Sequence, residues 1–128
     1  MWNNLVNQVT EIEYTDEFEI WWEKLSAEEQ ASIEVLVSML SRLGITLDYP
    51  YSSQIKGSKH GNMRELRIQH KGEPYRIFYA FGPKRSVILL IGAHKAGYSD
   101  KEFYAEYISV ADRLYSTYLE ELKQEGWS

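Results

Sequence analysis

A run of five apolar residues at positions 87–91, Val-Ile-Leu-Leu-Ile, limits what this chain can fold into more than any other feature of its sequence. An unbroken run of β-branched and leucine side chains is typical of a strand that is covered on both faces. The whole apolar stretch, residues 86–93, is far too short to cross a bilayer. We therefore expect a buried strand with other elements packed on each side of it, and no membrane span.

The segments before residue 45 predict a short strand followed by two helices. Residues 10–14 alternate in strand fashion, and Thr15 or Asp16 can cap the helix that follows. Ser26 and Glu29 have the spacing of a capping box, and apolar residues then recur at intervals of three and four until Gly44. Two helices joined so closely predict a helical hairpin whose apolar stripes are covered by a sheet.

The second half predicts three consecutive antiparallel strands and a last helix. The strands are expected at residues 63–70, 75–81 and 87–91, with turns at 71–74 and 82–85. Ser99 or Asp100 is expected to cap the helix, and residues 44–60 are expected to form an irregular loop. The order predicts an α+β fold: a mainly antiparallel sheet of four to five strands, packed against an N-terminal helical hairpin and a C-terminal helix.

Composition favours one domain, residues 1–128, in the cytoplasm. The chain is 44% hydrophobic, with no low-complexity run or repeat that would mark a linker. It contains no cysteine, which excludes disulfides and thiolate metal sites. Its first residues lack the basic start and long apolar stretch of a secretory signal. The three histidines, at positions 60, 70 and 94, form no recognisable metal pattern, and no phosphate-binding glycine loop is present, so we expect neither a metal nor a cofactor.

Basic residues are concentrated in one segment of an acidic chain. Residues 56–95 contain nine Lys and Arg against two acids, whereas the whole chain has a net charge of −5. Such a split favours one basic face that attracts a polyanion in spite of the unfavourable total. The alternative is that these basic residues scatter around a solvated sheet.

Two arginines on adjacent predicted strands are candidates for binding a phosphate. Because side chains alternate along a strand, Arg64 points to one face and Glu65 and Arg67 point to the other. Arg76 on the next strand can approach Glu65 and Arg67 across the hairpin, and two arginines held in this way would make a rigid phosphate clamp. The alternative is an ordinary cross-strand ion pair on an exposed face.

His94 and Lys95 are a second candidate pair, because they follow the buried strand directly and precede the last helix. Histidine can carry protons near neutral pH, and lysine can supply positive charge. A lone histidine is, however, more often structural or simply exposed.

Four segments together resemble the phage Gp49-like, HigB-type branch of the RelE/ParE toxin superfamily. They are Ile-Lys-Gly-Ser-Lys at 55–59, Met-Arg-Glu-Leu-Arg at 63–67, Pro-Tyr-Arg-Ile-Phe-Tyr-Ala-Phe at 74–81, and Leu-Leu-Ile-Gly-Ala-His-Lys-Ala-Gly at 89–97. Ile-x-x-Ala-Asp-x-Leu-Tyr at 108–115 supports this branch. The ordered match runs from about residue 43 to residue 119, and upstream the likeness is one of architecture only.

The resemblance implies a RelE-like fold and the toxin of a type II toxin–antitoxin pair. Such a toxin enters the ribosomal A site and cleaves mRNA through the 2′-hydroxyl without a metal, leaving a cyclic phosphate. A helix-turn-helix antitoxin silences it in a hetero-oligomer. Two other functions stay open: poisoning of gyrase, as in the ParE branch, and loss of activity, with the chain kept as an antitoxin-binding module.

The resemblance also implies roles for individual residues. Arg67 would be the basic strand residue, Arg76 would bind the scissile phosphate, Lys95 would supply charge, and Tyr104 would stack or handle a proton. His94 stands where relatives often have Asp, so it is either an added proton carrier or a neutral change. Further RNA contacts are expected in the basic segment from Lys56, Lys59 and Arg64.

Overall fold

A computed structural model describes Trp2 and residues 9–127 of the chain. Its elements are β1 (Glu11–Tyr14), α1 (Asp16–Glu23), α2 (Ala27–Leu43), β2 (Ser52–Gln54), β3 (Met63–His70), β4 (Glu73–Phe81), β5 (Ser86–His94) and α3 (Asp100–Gln124). A short 3-10 turn, Gly44–Thr46, follows α2. The predicted α+β class, the helical hairpin and the C-terminal helix are all confirmed.

The five strands form one mixed sheet in the order β1-β5-β4-β3-β2. β1 runs parallel to β5, and the other three pairings are antiparallel. In the long central strands, Arg67 lies opposite Arg76 and Arg76 lies opposite Ala93, and the β4–β5 register shifts once, between Phe78 and Tyr79. The meander thus places side chains from three strands in one row across the sheet.

Each face of the sheet is covered by a different helical layer. We call the face that is covered by the helical hairpin of α1 and α2 the hairpin face. It packs on these helices through Leu66, Ile68, Tyr75, Ile77, Tyr79, Val87 and Leu89. The α3 face packs on α3 through Met63, Phe78, Ala80, Ile88, Leu90 and Ala93. Val87 and Leu89 of the apolar run on β5 enter the layer of α1 and α2, whereas Ile88 and Leu90 enter the α3 layer, which confirms that this strand is covered on both sides.

Side-chain caps fix where the helices begin. Thr15 accepts a hydrogen bond from Phe18 N at 2.9 Å, and its hydroxyl also donates to the Leu90 carbonyl at 2.7 Å, which ties α1 to β5. Ser26 and Glu29 form the predicted capping box at the start of α2. Ser99, rather than Asp100, caps α3, so the Asp100 carboxylate is available for another partner.

Two predictions that bear on the site are wrong. The segment expected to be an irregular loop contains the edge strand β2, which is only three polar residues long and carries no apolar alternation. β5 continues to His94 instead of ending at residue 91. His94 is therefore part of the strand, and strand alternation decides which way it points. Within the described part of the chain, no helix is both long and apolar enough to cross a membrane.

Candidate active site

A buried carboxylate, Glu65, lies at the centre of a polar cluster on the α3 face. Only 5% of Glu65 is exposed. Tyr104 donates a hydrogen bond to Glu65 Oε1 at 2.7 Å, and Ser53 donates one to Oε2 at 2.8 Å. Arg76 Nε lies 3.5 Å from Oε1, and Arg67 NH1 lies 3.4 Å from Oε2. A carboxylate is stable in such a place only because donors and positive charge surround it.

The two arginines differ in how accessible they are. The Arg76 side chain is 6% exposed and donates from NH1 to the Tyr75 carbonyl at 3.0 Å. Its Nε is close enough to Glu65 for an ion pair, but among the described residues it has no partner with hydrogen-bond geometry. The Arg67 side chain is 28% exposed. Arg67 is therefore the arginine that an incoming anion meets first.

Lys95 extends the cluster past the end of β5. Its backbone N donates to the Pro74 carbonyl at 2.8 Å, and its ammonium group pairs with Asp100, the first residue of α3. The hydrogen bond from Lys95 lowers the pKa of Asp100, and the charges of Arg76 and Arg67 act in the same direction. Three cations, Arg67, Arg76 and Lys95, thus act on one small region.

Tyr104 projects from α3 onto the same region. Lys95 Nζ lies 5.8 Å from the centre of its ring. Burial raises the pKa of the Tyr104 phenol, and the hydrogen bond to Glu65 raises it further, while Arg76 opposes this only in part. The phenol therefore keeps its proton at neutral pH and is a proton donor.

The cluster is less open than the sequence suggests. Arg67 and Arg76 both pair with Glu65, and Lys95 pairs with Asp100. Three cations against two carboxylates leave one formal positive charge, so the expected surface of unpaired positive charge is present only in part. Next to the cluster is a shallow depression of about 350 Å³, lined by Gln54, Ile55, Lys56, Glu65, Tyr104 and Ile108.

The structure separates His94 from the other predicted catalytic residues. The His94 ring stacks on Tyr75 at 4.4 Å, and its Nε2 lies 2.6 Å from Glu73 Oε1. Tyr75 belongs to the hairpin face and donates to Glu29 Oε2 at 2.6 Å. His94 and Ala93 point to opposite faces because β5 extends through both residues, and Ala93 is on the α3 face. The placement of His94 beside the phosphate-binding residues is therefore corrected.

The three predicted RNA-binding residues also fall in different places. Arg64 points away from the cluster, as alternation predicts: its Nε donates to Ser52 Oγ at 3.0 Å, and its NH2 lies 3.7 Å from Asp48. Arg64 therefore lies apart from the cluster, and its contact with RNA stays a prediction. Lys56 is exposed at the rim of the depression beside Glu65. Lys59 is exposed on the loop that Asp112 of α3 anchors by accepting from Lys59 N at 3.0 Å.

Three residues of the site, Glu65, Ser53 and Asp100, have no role in it that the sequence predicts. Glu65 appeared only as the partner in an ion pair, although a carboxylate on the same face as Arg67 was a signal for its central position. Ser53 lies on a strand that was predicted as loop. Asp100 is one of two candidate helix caps in the sequence, and only the tertiary structure shows that it pairs with Lys95. Among the described residues, no group of three or more His, Asp or Glu side chains is placed to hold a metal ion.

Comparison with protein families gives a match over most of the chain. Residues 20–116 match the model of the family described as phage-derived protein Gp49-like. The chain belongs to the Gp49-like family. This confirms the resemblance found in the sequence. The matched residues include every member of the polar cluster on the α3 face, called the α3-face cluster, which comprises Ser53, Glu65, Arg67, Arg76, Lys95, Asp100 and Tyr104.

Two HigB proteins of Mycobacterium tuberculosis, both described as proposed toxins, are similar to this Gp49-like chain. HigB3 is 36% identical over 101 residues, which cover 79% of this chain and 86% of HigB3. HigB2 is 33% identical over 100 residues, which cover 77% of this chain but 49% of HigB2. The chain thus spans about half the length of HigB2. These relatives confirm the HigB-type branch.

Chains in two solved complexes have a similar fold. The first is the intact RelBE complex of E. coli, with a TM-score of 0.51, 12% identity and coverage of 66% of this chain and 95% of that one. The second is the RelE–RelB complex of Pyrococcus horikoshii OT3, with a TM-score of 0.51, 11% identity and coverage of 70% and 98%. At this level of identity they confirm the RelE-like fold.

Proposed function

We propose that this Gp49-like chain is the toxin of a type II toxin–antitoxin pair and cleaves mRNA without a metal ion. The observation that carries the proposal is the convergence of Arg67, Arg76 and the Tyr104 phenol on Glu65, with Lys95 beside the Tyr104 ring. RNA cleavage through the 2′-hydroxyl needs a base, positive charge on the crowded phosphate and a proton for the leaving oxygen. The cluster contains a group of each kind.

The positive charges divide into a contact group and a supporting group. Arg67 and Lys95 are partly accessible and would contact the phosphate oxygens. Arg76 is nearly buried, so it would contribute mainly through its field and by fixing Glu65.

Glu65 and Tyr104 would move the protons. The 2′-oxygen forms a bond to phosphorus while the bond from phosphorus to the 5′-oxygen breaks, which leaves a 2′,3′-cyclic phosphate. Glu65 takes the proton of the 2′-hydroxyl, and Tyr104 gives its proton to the 5′-oxygen. The 2.7 Å hydrogen bond between the two side chains then returns a proton from Glu65 to Tyr104.

The chemistry is tested with a model RNA that carries a single 2′-deoxy nucleotide at the cleavage position. Unmodified RNA should give a 2′,3′-cyclic phosphate product, identified by mass spectrometry, and the deoxy substitution should abolish cleavage. Free RNA is assayed with a chelator present, and ribosome-bound RNA is assayed separately to establish whether cleavage depends on the ribosome. Cleavage that survives the deoxy substitution, or that stops when metal is removed from free RNA, contradicts the proposal.

The site is tested with a pair of matched variants. Arg67→Ala should slow cleavage about 100- to 1,000-fold, as removal of a donor to a developing anion commonly does. Lys84→Ala is the control. Lys84 lies on the β4–β5 turn, is also a partly exposed cation, and pairs with Glu13 at 3.7 Å. Equal rates for the two variants would remove the α3-face cluster from the mechanism.

The biological role is tested by expression. Expression of the chain alone should arrest growth, and a helix-turn-helix antitoxin encoded by the adjacent reading frame should relieve the arrest and form a hetero-oligomer with the chain. The two solved structures of similar fold are the E. coli RelBE toxin–antitoxin complex and an archaeal RelE–RelB complex, which supports such a partner. Arrested supercoiling with intact RNA would instead indicate gyrase poisoning, and unaffected growth would indicate an inactive antitoxin-binding module.

A further inference from the structure

Two tyrosines are exposed at the sheet edge beside Arg67. Tyr49 is 70% exposed and Tyr51 is 45% exposed, although most aromatic side chains of this chain lie in the two core layers. An exposed pair of large rings beside a charged cluster is typical of a surface that binds something. The cluster described above does not use either ring.

The turn that carries the rings is fixed by hydrogen bonds. The Asp48 carbonyl accepts from Tyr51 N at 3.0 Å and from Ser52 N at 3.1 Å. The Asp48 carboxylate accepts from Tyr49 N at 2.8 Å and also pairs with Arg64. A ring held on such a turn loses little conformational freedom when a ligand stacks on it.

The rings continue the row of arginines across the sheet. Arg67 N donates to the Tyr51 carbonyl at 2.9 Å, one step beyond the last strand pair, Ser52 with Leu66. Residues opposite each other in a ladder share a face, so Tyr51, Arg67 and Arg76 lie in one row. The Arg67 guanidinium also lies 5.4 Å from the centre of the Tyr49 ring.

We infer that Tyr49, with Tyr51 beside it, is a stacking platform for one unpaired base of a single-stranded RNA. Within a nucleotide chain a base and a phosphate are close neighbours, as are the Tyr49 ring and Arg67. Every base has a flat face that stacks on an aromatic ring, whereas a base inside a duplex already has stacked neighbours. The inference rests on the proposed function and adds a requirement for an unpaired base and a positioning residue, Tyr49.

The test is a cycle between Tyr49 and the base. Binding is measured by fluorescence anisotropy with RNA whose cleavage position carries a 2′-O-methyl group, so that no cleavage occurs. A set of oligonucleotides each lacks one base near that position. At one position, loss of the base should weaken binding to the unaltered chain about 5- to 150-fold, the range found for one stacked base. Tyr49→Ala should bind the complete RNA more weakly than the unaltered chain by the same factor. On the RNA that lacks the base, the two proteins should bind equally well.

Two control variants separate stacking from other effects. Tyr49→Phe keeps the ring and should bind as the unaltered chain does. Trp127→Ala removes another exposed ring beneath a cation, because Lys84 Nζ lies 5.7 Å from the Trp127 ring, and it should bind RNA normally. Circular dichroism and thermal unfolding establish that each variant is folded.

The outcomes distinguish failure of the platform from failure of the proposed function. If the unaltered chain cleaves RNA but Tyr49→Ala binds RNA as tightly as the unaltered chain, the platform is wrong and the nuclease stands. The same conclusion follows if removal of the base weakens RNA binding by Tyr49→Ala as much as it weakens binding by the unaltered chain. If Tyr49→Ala weakens association with the antitoxin or the ribosome while RNA binding is unchanged, the rings form a protein contact. If the unaltered chain neither binds nor cleaves RNA, free or on ribosomes, both proposals fail.

Discussion

The two faces of the sheet carry polar groups of similar kinds but use them differently. On the hairpin face, Tyr75 donates to Glu29, and His70 Nδ1 lies 2.7 Å from Ser32 Oγ, so these bonds join the sheet to α2. On the α3 face, the groups gather around a buried carboxylate next to an open depression. The hairpin-face network closes an interface, whereas the α3-face cluster concentrates charge where a ligand has access.

The separation of the two faces also explains why His94 and Lys95 have different surroundings although they are adjacent in the sequence. His94 ends β5 on the hairpin face and contacts Tyr75 and Glu73. Lys95 lies past the strand end and contacts Asp100 and the ring of Tyr104. One step along a strand reverses the direction of a side chain, so neighbours in sequence can belong to different sites.

The largest expected effect comes from Arg76→Ala on the α3 face. Removing one partner of a buried pair leaves the Glu65 charge uncompensated, so the free energy of unfolding should fall by about 3–5 kcal/mol. Cleavage should slow by about 100- to 1,000-fold. Chemical denaturation measures the first effect, and cleavage of the model RNA at a temperature where the variant is folded measures the second.

Two control variants test whether the loss of cleavage in Arg76→Ala is specific to the α3 face. Adding Glu65→Gln to Arg76→Ala removes the buried charge, and it should restore much of the stability but none of the activity. His94→Ala, on the other face, breaks an accessible pair that is worth about 0–1 kcal/mol and a ring stack on Tyr75, and it should leave cleavage unchanged. Loss of cleavage in His94→Ala would mean that the two faces are not functionally separate.

A smaller effect is expected from Gly92→Ala, which tests how tightly the hairpin layer closes on the sheet. A Cβ at Gly92 would lie 2.2 Å from the Trp21 ring, so the indole or the strand must move. Such overpacking costs about 1–3 kcal/mol. Gly61→Ala is the matched control, because a Cβ there would meet no atom within 4 Å. Thermal unfolding that gives the same stability for both variants would show that the layer is looser than its contacts indicate.

The smallest effect is expected from Tyr75→Phe, which removes the bond between the sheet and Glu29. The loss at neutral pH should be about 0.5–1.5 kcal/mol. Burial raises the pKa of Tyr75 to about 12 from the ordinary value of 10, and the bond to Glu29 acts in the same direction. The folded state thus favours the protonated phenol, so this stability is fully present below pH 10 and is lost as the pH rises through 12.

Urea denaturation of Tyr75→Phe and the unaltered chain at several pH values checks this sign. The difference between the two isolates Tyr75 from other tyrosines that titrate in the same range, such as Tyr107, whose pKa burial also raises to about 12. A difference that grows between pH 10 and 12 would contradict the assignment.

The sequence by itself determined the layers of this protein and the chemistry available to it. The apolar run on β5 required cover on both faces, the capping box located α2, and strand alternation placed Glu65 and Arg67 on the face opposite Arg64. These features depend on local geometry, which repeats every two residues in a strand and every 3.6 in a helix. The ordered motifs were also sufficient to identify the family.

Only the tertiary structure decided which of the candidate residues meet. The position of Tyr104 above Glu65 depends on how α3 crosses the sheet, and the position of Ser53 depends on a polar edge strand without a sequence pattern of its own. The side of His94 depended on how far β5 extends past its apolar run. Contacts between residues distant in sequence follow from packing over the whole chain, and no local pattern encodes them.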